Sequence, residues 1–80
     1  MARRKQPTPV QRLVAAMDAC ALARSEAQWT NGYRAAAGAK HPDEARLYAK
    51  EQRQWQHVAR AERRFRRLAQ RLIREARDGE

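Results

Sequence analysis

Cysteine is nearly missing from this 80-residue chain. Cys20 stands alone, which excludes an intrachain disulfide and the stapled scaffolds of small secreted domains, and the chain reads as a cytoplasmic protein. No apolar run approaches the ~18 residues of a membrane span, and the basic N-terminus has no apolar segment behind it, so neither a membrane helix nor a signal peptide is expected. Catalytic side chains are equally scarce. His41 and His57 are distant from each other, no nucleophile, base and acid are spaced for joint action, and one cysteine with two scattered histidines makes no metal-ligand pattern. A non-enzymatic protein without metal or cofactor is expected. Only three prolines and three glycines punctuate the chain, which leaves two long uninterrupted stretches. No internal repeat is evident.

Charge of one sign is what the chain has in excess. Eighteen Lys and Arg stand against nine Asp and Glu, a formal net charge of +9, which points to an anionic partner: nucleic acid, an acidic protein surface or anionic lipid. The excess is concentrated: between Arg53 and Arg77 lie nine arginines and only two acids, Glu62 and Glu75.

Residues 1–7 read as a basic arm, with Arg3, Arg4 and Lys5 ahead of two prolines that discourage an early helix. Thr8, Pro9 and Gln11 fit the N-cap, first and third positions of a capping box, so a first helix should begin there. Along it Val10, Leu13, Val14, Met17, Cys20 and Ala21 recur at spacings of three and four, which predicts the core face. Leu22, Trp29 and Tyr33 fall about a quarter turn away from that stripe. Asn31-Gly32 can therefore either interrupt the helix or be absorbed within it, and Ala35 to Ala37 carry helix as far as a cap at Gly38. A second helix is expected from Pro42, with Asp43 and Glu44 at its N-terminal dipole, through about Arg77. Its apolar positions are Leu47, Tyr48, Trp55, Val58, Phe65, Leu68, Ala69, Leu72, Ile73 and Ala76.

The expected fold is all-α: an antiparallel helical hairpin over residues 8–78, with a short third helix as the alternative if the chain breaks at Asn31, and a tail at 79–80. A turn near residue 40 sets Val10 near Leu72, Met17 near Glu62 and Phe65, Ala21 near Val58, Arg24 near Trp55 and Tyr33 near Leu47. Two helices of this size leave apolar surface uncovered, so a homodimer is expected to complete the core. Glu62, centred on the apolar arc, would need Arg12 or an arginine of a second copy as its partner.

Two surfaces can carry function. Arg53, Arg60, Arg63, Arg64, Arg67, Arg71 and Arg74 fall on the side of helix two away from its apolar arc. With Arg3, Arg4 and Lys5 they could hold phosphates through the planar guanidinium fork, so binding to a DNA or RNA backbone is the leading expectation. Trp29, Tyr33, Tyr48 and Trp55 fall toward the turn half of the hairpin, where they either pack the bundle or form a hot spot for a protein partner. The second reading describes an inhibitor or adaptor of the mobile-element kind, docking on an acidic or apolar groove of a host protein. A membrane-surface helix ranks last, because the apolar stripe is needed for packing.

Overall fold

The computed structural model describes residues 6–79, and these fold as two helices, α1 (Pro9–Ala37) and α2 (Glu44–Asp78), packed antiparallel. Arg3, Arg4 and Lys5 lie outside the described residues.

The start of α1 follows from local chemistry. Thr8 Oγ1 accepts from the Gln11 amide at 3.1 Å, while Gln11 Oε1 accepts from the Thr8 amide at 2.9 Å, so two orphan donors of the first turn are satisfied reciprocally. The helix then runs unbroken through Asn31-Gly32, so the described residues hold two helices and no short third one. It ends at Gly38, whose N–H still reaches the Arg34 carbonyl at 3.1 Å and whose φ of 87°, suited to a residue without a side chain, turns the chain out of the helix. Regular helix resumes at Glu44, two residues later than the sequence suggests. His41 explains the delay: its Nδ1 accepts from the Asp43 amide and its carbonyl from the Glu44 amide, so Pro42 belongs to a tight first turn.

Burial marks out a seam of seven-residue period on each helix. On α1 it comprises Leu13, Ala16, Cys20, Ala23, Ala27, Thr30, Arg34 and Ala37; on α2, Glu44, Leu47, Glu51, Gln54, Val58, Ala61, Phe65, Leu68 and Leu72. Alternating steps of three and four are the pattern of paired, gently supercoiled helices. The α1 seam is small-chained, with Ala16, Ala23 and Ala27 buried and Thr30 the largest side chain that is fully enclosed. Trp55 packs against the cluster of Ala23, Ala27 and Val58.

The expected α1 face is therefore wrong in rotation, although the register is right. Leu13 and Cys20 do face α2, but Val10, Val14, Met17 and Ala21 stand exposed, turned by roughly 100° from the seam. The reason is steric and polar together. A strip of alanines lets two helix backbones approach closely, and the same strip carries Arg34, whose guanidinium finds its carboxylate partners on the α2 side, while the Thr30 hydroxyl donates to the Glu26 carbonyl of α1 itself and so needs no partner across the seam. Tyr48, Ile73 and Ala76, expected in the α2 core, are likewise exposed.

Candidate functional site

The turn end is held by a polar cluster. Arg34 donates from Nη1 to Glu51 Oε1 at 2.8 Å, and from Nε and Nη2 to Glu44 Oε1 at 3.0 and 2.7 Å; its guanidinium lies 4.8 Å from the centroid of the Tyr48 ring. Glu51, only 5% exposed, also accepts from Asn31 Nδ2 and from Trp55 Nε1, each at 3.2 Å. Hydrogen bonds from Arg34 first, then from Asn31 and Trp55, outweigh desolvation and hold the Glu51 carboxyl below the usual glutamate range. Hydrogen bonding to Glu44 and then to Glu51 raises Arg34 above the ordinary arginine value. Farther along, Glu62 pairs with Arg24, not with Arg12, so it needs no second copy to neutralise it.

These bonds separate the four aromatic residues. Tyr48 and Trp55 sit on one face of the hairpin, tied to Arg34 and Glu51. Trp29 and Tyr33 stack on each other with centroids 5.7 Å apart and planes 9° from parallel, and both are exposed. The single aromatic cluster suggested by the sequence is thus two separate pairs.

The arginines fare differently. Arg53, Arg60, Arg63, Arg64, Arg67, Arg71 and Arg74 are all exposed, and among the described residues none of the seven takes part in a salt bridge; those bridges use Arg24, Arg34 and Arg46. The seam also reveals an order that the sequence reading missed. Arg46, Arg53, Arg60, Arg67 and Arg74 stand seven residues apart in one column, spanning about 42 Å of α2 at ~1.5 Å per residue. Lys50, His57, Arg64 and Arg71 form a parallel column beside it. Seven-fold recurrence of arginine over five positions was the signal available; it becomes visible once the seam sets the period.

Between the second column and α1 lies an open groove of about 630 Å³. Its floor is alanine, from Ala15, Ala16, Ala19 and Ala61, and its walls carry Arg12, His57, Arg60 and Arg64. A shorter groove farther along α2 is lined by Arg64, Arg67, Arg71 and Arg74. No family model, curated protein or solved structure matches the chain. Among the described residues no cluster of His, Cys, Asp and Glu could hold a metal ion, and no helix is long and apolar enough to cross a membrane.

Proposed function

We propose that the protein binds the phosphate backbone of nucleic acid along the arginine columns of α2. The observation that carries this reading is the column Arg46–Arg53–Arg60–Arg67–Arg74, evenly spaced by about 10.5 Å and, from Arg53 on, free of carboxylate partners among the described residues. Regular charge over four helical heptads suits a partner whose own charges repeat regularly, and a polyphosphate backbone is such a partner. Arg63, Arg64 and Arg71 widen the strip. The competing protein-docking reading takes Trp29, Tyr33, Tyr48 and Trp55 as its hot spot, and their division between two faces counts against one surface built from all four.

The reading includes a homodimer. Val10, Val14, Met17 and Ile73 are 57, 46, 51 and 54% exposed, and they extend the face that carries the Arg24–Glu62 pair and Trp55. The accessible surface is 7069 Å², against about 5,000 Å² for a compact monomer of this mass. The excess of roughly 2,000 Å² matches what each protomer of an obligate dimer buries, about 1,000–2,500 Å². A second copy on this face would complete a four-helix bundle and leave both sets of arginine columns in solvent.

Replacing Arg60, Arg67 and Arg74 together by Gln tests the backbone contact. Each lost phosphate contact should reduce the log–log salt dependence of binding by roughly 0.7 to 0.9, so the slope for the triple variant should fall by about 2 to 3. An unchanged slope in fluorescence anisotropy would remove the columns from the interface.

A further inference from the structure

Trp29 is 69% exposed, its neighbour Tyr33 is 45% exposed, and neither belongs to the buried cluster of Ala23, Ala27 and Val58. Packing within this chain does not account for an indole at that position. Its location is informative. Ala15, Leu22 and Trp29 stand seven residues apart in one column of α1, and Arg12, Ala19, Glu26 and Tyr33 form the adjacent one. Arg12, Ala15 and Ala19 are the α1 residues of these two columns that line the basic groove, so Trp29 and Tyr33 continue the α1 side of that groove toward the turn. Asn31 lies level with Glu51 and Arg24 with Glu62, which sets Trp29 level with the stretch from Arg53 to His57, beside the second member of each basic column. The aromatic pair and the arginines thus share one face of the hairpin, while Tyr48 and Trp55 lie on the other.

We infer that Trp29 and Tyr33 are a stacking platform for unpaired bases, so that the ligand is single-stranded nucleic acid whose backbone follows the arginine columns; this rests on the backbone-binding reading above. Two rings already parallel within 9° offer flat surfaces for a base to extend the stack. Aromatic stacking beside a basic strip is how proteins hold single strands without reading sequence, because every base has a π-face. In a duplex the bases are covered by their neighbours, so the platform has nothing to take and only the phosphate contacts remain.

The test separates base from backbone. Full-length protein is titrated with a labelled oligothymidylate and with an abasic phosphodiester strand of equal length at one salt concentration. The intact strand should bind about tenfold or more tightly than the abasic one. Trp29→Ala with Tyr33→Ala should abolish that preference and leave abasic-strand affinity and the salt slope as they were, while Trp29→Phe, which keeps a flat ring, should retain most of it. Equal affinity of the wild type for the two strands overturns the platform and leaves the backbone reading standing. Loss of abasic-strand binding by the double alanine variant would make the pair structural and also overturn it. Failure of the wild type to bind either strand at physiological salt overturns both readings.

Discussion

At position 34 a guanidinium sits between two carboxylates and a phenol ring, and its bonds to Glu44 and Glu51 tie α1 to α2 near the turn. Glu51 is the more exacting partner, because it is buried and each oxygen has a donor. Its carboxyl is held below the usual range, so the stability it contributes is complete above the unfolded-state pKa and disappears as pH falls through the lower folded-state value. Thermal melts of the wild type should therefore lose ground below the ordinary glutamate range. Glu51→Gln should melt lower at neutral pH and show a shallower acid loss over that interval; identical pH profiles for the two proteins would deny the pair its role. Apolar residues matter where they are enclosed. Val58, 4% exposed, joins Ala23 and Ala27, and Val58→Ala should cost about 2 kcal/mol in denaturant unfolding, through lost burial and the cavity left behind.

The elements were legible at their ends and less so in their faces. Thr8, Gln11 and Gly38 announce α1 by side-chain chemistry that acts within a few residues, and the structure places a capping box and a positive-φ cap there. Asn31-Gly32, which residue order leaves open as a break or as part of the helix, is absorbed: Gly32 lies within continuous helix, and a Cβ built on it would meet nothing within 4 Å. Gly32→Ala should consequently stabilise the protein by about 0.5–1 kcal/mol, the helix-interior difference between the two residues. A loss of stability would show that the glycine serves a backbone need or an unseen contact. The face of α1 was misread because hydrophobicity was weighted above size. Val10, Val14 and Met17 are the more apolar side chains, but Ala16, Ala23 and Ala27 allow the closer approach, and Arg34 on the same strip can meet Glu44 and Glu51 only when that strip is turned inward.

For the molecule as a whole, openness is the governing property. Its radius of gyration is 18.1 Å, where a compact 80-residue domain would have about 12 Å. Under the proposed dimer this shape has a direct thermodynamic consequence: folding and association are coupled, so the melting temperature should rise with protein concentration. Sedimentation should give twice the chain mass, and Val14→Glu with Met17→Glu should shift it to the monomer with a lower melting temperature. A single-chain mass and a melting temperature independent of concentration would refute the dimer. The face opposite carries the arginine columns, so association would not consume the cations needed for an anionic ligand.

Helix type, both ends of α1, the turn near residue 40 and the approximate antiparallel register were readable from residue order, because capping and glycine conformation act locally and the turn fixes the pairing; the start of α2 was displaced by the turn that His41 forms. The rotation of α1 about its axis, the partners of Glu51 and Glu62, and the division of the four aromatic residues between two faces were decided by packing. Each depends on which side chains permit two backbones to approach and which buried polar atoms then find partners, and that balance is struck only when both helices are in contact.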